Sequence, residues 1–304
     1  MAPNGLPLVY VEQFSKLSDV KKNKIIRELP LGAFIGDITG QRYERYSGIL
    51  YGDFDLLDGR FTDDSILTCA RMRAFSMNQN NPRFKEALIE VVRQFPDRKF
   101  GYGRNFYKRM FENGQDSNSF GNGAMMGVTA IGIGGRLNCS IDQVARWAEN
   151  STLYTHNHPD SKRGASMVAI AIYLARKNWD KNDIINYLIQ NYELTCENFF
   201  KIQKEYTAKH RRGGGTDPSC KTAIRDVFSI IQQSTSFEDG LRKSVSLGND
   251  ADTTACIVCC ILQFVWQNDP TLAELKKRAW SKLHVILQNY ILEHYVHCMG
   301  GQLS

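Results

Sequence analysis

Apolar side chains return every three or four positions along most of this chain, and runs in which they alternate with polar ones are few. A period near 3.6 buries one face of a helix, whereas a half-buried strand needs a period of two, so the pattern makes the fold class all-α. Ile66, Cys69, Ala70, Met72 and Phe75 trace one such face; Ile184, Tyr187, Leu188 and Tyr192 another; Ile224, Val227, Phe228 and Ile231 a third. Residues 165–176 read as an apolar helix with a basic end. Leu272, Leu275, Ala279, Leu283, Ile286, Leu287 and Tyr290 predict one long amphipathic helix near the C-terminus. The longest apolar stretch, 255–266, is broken by Gln263 and reads as a buried helix, short of the roughly 18 residues a membrane span needs.

Composition excludes several function classes. With 42% hydrophobic and 23% charged residues the chain is globular, and at its 304 residues one core suffices, so residues 1–304 are expected to form a single domain with a short extension over residues 1–28. The charge of +6 is scattered, so neither nucleic acid nor a membrane is an expected partner. One tight basic run, Lys209, His210, Arg211 and Arg212, lies beside three glycines without the interleaved aromatics of a base-stacking surface and reads as a solvated loop. The eight cysteines are isolated or sit in apolar helical patterns, which predicts buried free thiols and a reducing, cytoplasmic address. Cys256 and Cys259 match half of a metal motif, but no second pair accompanies them. Loops are expected over residues 48–59, 78–82, 113–123, 157–164 and 209–219, which are rich in Gly, Asn, Asp or Pro.

The chemistry concentrates in two acidic clusters far apart in sequence, Thr62-Asp63-Asp64-Ser65 and Asp250-Ala251-Asp252-Thr253-Thr254. Each opens an apolar helix, and Thr62 is placed to cap the first. Carboxylates are favoured at a helix start, but a cap needs one acceptor, and here they are doubled and joined by hydroxyls. Together they offer hard oxygen ligands for Mg²⁺ or Mn²⁺. Two like charges about 4 Å apart repel by about 4 kcal/mol at an effective dielectric near 20. If the clusters converge, the four aspartates must therefore protonate or hold cations, and two divalent ions would balance them. Zinc is not expected, since no His-Cys ligand spacing is present.

Three further segments carry polar groups. Asp37, Gly40 and Glu44 fall at i, i+3 and i+7, one helix face, and read equally as a core helix with a buried acid or as part of a site. Gly121-Asn122-Gly123, after Ser117-Asn118-Ser119-Phe120, feeds an apolar run and could present backbone amides to an anion. Thr155-His156-Asn157-His158-Pro159 lies in a polar loop. Gly248 and Asn249, directly before Asp250, would let the backbone approach a ligand closely.

In content and order, these motifs together resemble the ADP-ribosylglycohydrolase family, from about Gly32 to Ile261. The resemblance implies a compact, orthogonally packed all-α fold with a binuclear Mg²⁺ or Mn²⁺ cleft. It implies hydrolysis of the glycosidic bond at C1″ of ADP-ribose, from an arginine or serine side chain of a modified protein or from a small conjugate. By position, Thr62, Asp63, Asp64, Asp250, Asp252 and Thr253 would be metal ligands, with Asp252 bridging. Ser119, Gly121, Asn122 and Gly123 would wrap the diphosphate and distal ribose, His158 would border the cleft, and Gly248 and Asn249 would approach the ligand. Asp63 or Asp64 would be the base, with Glu44, where some members carry a gating or catalytic glutamate, the second choice. Two positions depart from the family's pattern. Asn249 replaces a common glycine and would crowd or bond the diphosphate, and Gly127 follows Met126 where an arginine is usual. A non-catalytic ADP-ribose-binding relative and a metal-dependent nucleotide phosphohydrolase are the alternatives. The first would follow from loss of a ligand, and none is lost; the second lacks the His-Asp pairs common in all-helical enzymes of that class.

Overall fold

A computed structural model describes residues 7–44, 52, 54–112, 118–134 and 138–303. Among these, seventeen α-helices follow one another. They are α1 (Val9–Ser15), α2 (Asp19–Glu28), α3 (Gly32–Gly40), α4 (Asp63–Met77), α5 (Phe84–Val92), α6 (Arg104–Phe111), α7 (Gly123–Met126), α8 (Thr129–Ile133) and α9 (Ile141–Thr152). Then come α10 (Pro159–Arg176), α11 (Lys181–Tyr192), α12 (Phe199–Arg211), α13 (Cys220–Gln233), α14 (Phe237–Ser246), α15 (Ala251–Val265), α16 (Pro270–Lys282) and α17 (Val285–Cys298). The described residues contain no strand, only two isolated bridges, Asn118 with His156 and Gly121 with Ser219. The fold is all-α, as the apolar period requires.

Two helices buried along almost their whole length form the centre, α3 and α15. Gly32, Gly36 and Gly40, spaced by four, form a stripe on α3 that lies against the backbone of α15. A Cβ on Gly36 would stand 2.1 Å from the Ala255 carbonyl oxygen, and one on Gly40 would stand 2.5 Å from Cα of Asp252. No side chain fits there, so the two helices touch backbone to backbone. The same closeness brings Asp37 on α3 beside Asp252 on α15.

Several expected boundaries shift. The long C-terminal helix is two: Leu283 is extended, and His284 caps the second by accepting from the Ile286 amide at 3.3 Å. An imidazole acceptor placed to restart a helix is a local bond that the heptad-like pattern cannot reveal. The Asp37–Glu44 face ends early, because α3 stops at Gly40 and a 3₁₀ turn, Gln41–Tyr43, carries the chain on to Glu44. Residues 159–164 and 209–211, expected as loop, are helical; Pro159 starts α10 and the basic run closes α12. Parts of the expected loops at 48–59 and 113–123 lie outside the described residues. Residues 9–28, expected as an extension, form α1 and α2 and dock on the C-terminal helices. Phe14 meets Trp280 edge-on at 5.4 Å, and the Val11 amide donates to Asn289. All eight cysteines are free, and all but Cys139 and Cys196 are buried. No described helix is long and apolar enough to cross a membrane.

Candidate active site

The two acidic clusters open α4 and α15, but they do so differently. Thr62 caps α4, its hydroxyl accepting from the Asp64 amide at 3.2 Å, so Asp63 and Asp64 occupy the first turn with side chains released. Asp250 stands at the cap position of α15 without capping it; its carboxylate accepts from the Asn122 side-chain Nδ2 at 2.7 Å instead. Asp252 accepts from the Thr253 amide at 2.9 Å.

Asp37, which the sequence leaves open between core and site, is a core residue that also lies against the acids of the cleft. Fully buried, it accepts from the Thr62 amide (2.9 Å) and hydroxyl (2.7 Å) and from the Ser65 amide (3.1 Å) and hydroxyl (2.5 Å). It thereby satisfies orphan donors at the start of α4 from another helix, a long-range cap. Oxygens of Asp37, Asp64 and Asp252 all lie within 4.8 Å of one another. Asp64 Oδ2 is buried with no hydrogen-bond partner. A buried carboxylate oxygen left without a donor, facing two other carboxylates, is costly unless a cation takes the place of the missing donors. The residues present therefore fit a divalent metal, through hard oxygen ligands alone.

The electrostatics agree. Burial pushes Asp37 up to about 6. Burial, then the charges of Asp37, Asp250 and Glu44, push Asp63 well above the usual carboxylate range. Asp64 rises for the same first reason, with Asp37, Asp63 and Asp250 adding to it and the Thr253 hydroxyl opposing. Asp252 is raised by burial, Asp250, Asp64 and Glu44.

Asp63, Asp64 and Asp252 line a cleft of about 720 Å³ together with Glu44, Thr62, Asp250 and Thr253, while Asp37 lies buried behind them. On one side stand Ser119, Gly121, Asn122 and Gly123. That loop is pinned to the segment before α13: the Asn122 amide donates to the Pro218 carbonyl at 2.7 Å and the Cys220 amide to that of Phe120 at 2.8 Å. On another side residues 97–104 fold over Asp63; a Cβ on Gly101 would lie 3.0 Å from Asp63 Oδ1. Arg60, Arg98, Lys99, Arg104 and Arg109 line the cleft with them. The lining thus combines acidic and basic side chains, suited to a ligand that carries both hydroxyls and anionic groups.

Three expected contacts are not where the sequence put them. His158 caps α10, accepting from the Asp160 amide at 3.2 Å, with its ring against Phe120, and lies outside the cleft lining. Its neighbour His156 lines the cleft instead. Its Nδ1 bonds the Thr155 hydroxyl at 2.9 Å, and burial, then the Arg71 charge, push the imidazole down to about 4, so it is neutral. Asn249 faces inward: its oxygen accepts from the Asp217 amide at 2.8 Å and its nitrogen donates to the Tyr206 hydroxyl and the Asp217 carbonyl, both at 3.1 Å. Gly248, at φ +91, turns the chain into that anchor, and its carbonyl meets His210 Nε2 at 2.6 Å. The side chain that the sequence reading aims at the diphosphate holds the loop before α15 in place. His156 is the cleft residue that the sequence reading passed over in favour of His158, and Asp37 is the one it left undecided. A Gly-Asp pair inside an unbroken apolar helix was the available signal for Asp37, since burying a carboxylate demands partners.

A family model described as ADP-ribosylglycohydrolase matches residues 19–263. Among solved structures, the chain resembles one titled "ADP-ribosylglycohydrolase-related protein complex", at 17% identity and a TM-score of 0.63, covering 91% of this chain and 100% of that one. At that identity the likeness speaks for the fold. No curated protein matches. Since the family match spans well over half of the sequence, the chain belongs to the ADP-ribosylglycohydrolase family.

Proposed function

We propose that the protein is a metal-dependent hydrolase that releases ADP-ribose by cleaving the glycosidic bond at C1″, from a modified protein side chain or a small conjugate. The observation that carries this reading is the buried triad of Asp37, Asp64 and Asp252, with its orphaned Asp64 oxygen, of which Asp64 and Asp252 line a cleft large enough for a nucleotide-sized ligand. Asp64 and Asp252 would hold the metal, joined by Asp63, Asp250, Thr62 and Thr253; two Mg²⁺ or Mn²⁺ ions balance the four outer carboxylates. Thr62 keeps a lone pair for that role after donating to Asp37 and accepting from Asp64. When bound, the ions would orient the ribose hydroxyls and acidify water.

The chain's own residues would do the rest. Asp63, half-buried at the edge of the cluster and beneath Gly101, is the base by this reading, with Asp64 and then Glu44 the other choices. Carboxylates around the anomeric carbon stabilise the positive charge that develops as the bond breaks. Ser119, Gly121, Asn122 and Gly123 would seat the diphosphate; Asn122, through its bond to Asp250, couples that loop to the acids.

ADP-ribosyl-arginine and ADP-ribosyl-serine peptides, incubated with Mg²⁺ or Mn²⁺ and with chelator, test the reading. Free ADP-ribose that forms only with metal, and is lost in Asp252→Ala, supports it. Binding of ADP-ribose without turnover of any conjugate would instead make the protein a non-catalytic relative.

A further inference from the structure

Arg71 sits on α4 seven residues beyond Asp64, so the two share a face with backbones about 10 Å apart along the axis. The side chain reaches back to the Leu67 carbonyl, where the Asp64 charge acts on it without an ion pair. It is buried, 8% exposed, and no carboxylate of the described residues lies within ion-pair distance of it. A guanidinium carries five N–H donors, yet the bond this one makes is a long one, Nη1 to the Leu67 carbonyl at 3.5 Å, and its Nε is buried with no partner. A buried cation left so poorly satisfied is strongly unfavourable unless an anion completes it.

What surrounds it says where that anion would be. Arg71 lines a cavity of about 20 Å³ together with Gly123, Thr155 and His156, and those three also line the main cleft. That volume admits one water molecule and little else. Gly127, just past α7, makes room for the guanidinium: a Cβ there would lie 2.1 Å from Arg71 Nη1.

The geometry points to Arg71 as the cation of an anion site in the cleft, reaching a phosphate group seated at Gly123 from behind the loop through a single water, with Gly127 as the gap that admits it. This rests on the reading that the cleft takes a phosphate-bearing ligand, and it adds the residue and the side from which the charge is supplied.

Binding of inorganic pyrophosphate and of ADP-ribose is measured by calorimetry, and Mn²⁺ affinity alongside. Arg71→Met is expected to weaken both anions about tenfold or more, the loss of one charge-assisted contact, with Mn²⁺ affinity unchanged. Gly127→Ala, which drives Nη1 aside, shifts both in the same direction. Arg71→Met combined with Gly127→Arg, which returns a guanidinium from the other helix, restores them. In the wild-type protein, the Arg71 Nε–H resonance moves on adding pyrophosphate, a readout that needs no variant to fold. Anion affinity unchanged in both single variants, an unmoved resonance, or a variant effect on Mn²⁺ affinity alone, which would make Arg71 a counter-charge to Asp64, each overturns the inference. Failure of the proposed activity reads differently: anions bind through Arg71 while no conjugate is hydrolysed.

Discussion

Asp37 accepts the Thr62 hydroxyl at 2.7 Å and so fastens the first turn of α4 to the centre of α3. Through that one bond and the three beside it, the helix carrying Asp63 and Asp64 is set against the helix packed on α15, which carries Asp252. Asp37→Asn keeps the shape but replaces one accepting oxygen with an NH2 group that points a donor at donors. Urea unfolding should show a loss of about 2–4 kcal/mol, because two backbone amides and two hydroxyls lose a charged acceptor. A loss under about 0.5 kcal/mol, the range of an ordinary surface change, would mean that the carboxylate does not hold α4.

Gly36→Ala tests the backbone contact between α3 and α15. The added methyl would meet the Ala255 carbonyl oxygen at 2.1 Å, and neither helix can retreat without opening the core. The variant should lose about 3 kcal/mol or more, at the upper end of overpacking, and weaken metal binding with it as Asp37 and Asp252 part. Thermal melts with and without Mn²⁺ check both effects.

Asn249→Gly separates a structural role from a ligand contact. The side chain bonds Asp217 and Tyr206, which itself donates to the buried Asp226 at 2.5 Å. Stability should fall by about 1–3 kcal/mol. ADP-ribose affinity of the folded fraction should change less than about twofold, well under what losing a direct hydrogen bond would cost. A large affinity change at unchanged stability would return Asn249 to the ligand.

His294 gives a pH signature. Burial holds its imidazole down to about 3, so the folded chain keeps it neutral while the unfolded chain protonates it near 6.5. Between those values the unfolded state binds the extra proton, so its contribution to stability is complete above about 6.5 and is lost as pH falls toward about 3. The buried aspartates titrate with the opposite sign, since their folded values are raised. The difference between wild type and His294→Gln therefore isolates the histidine. From pH 6 to 4, wild-type stability should fall relative to the variant by about 1.4 kcal/mol per pH unit.

The apolar period of α4, α11 and α13 made the all-helical class legible, and the doubled acids at Asp63, Asp64, Asp250 and Asp252 marked the cleft, because both are local patterns. What stayed hidden was non-local. Asp37 was left open between core and site because its donors lie at the start of another helix, and the packing of Arg71 against Gly127 has no sequence spacing to betray it. His156 and His158 are equally polar loop histidines in sequence; only the turn into α10 decides that the second becomes a cap. Asn249 was readable as a departure from a glycine, but its direction depends on Asp217 and Tyr206.

Equilibrium binding of Mn²⁺ to chelator-stripped protein, counted per chain, bears most directly on the buried acids as a metal centre. Two ions should bind to the wild-type chain and binding should collapse in Asp64→Ala and Asp252→Ala, together with ADP-ribose release. A folded wild-type protein that takes up no ion in millimolar Mn²⁺ or Mg²⁺, or one that releases ADP-ribose undiminished in excess chelator, would contradict the account.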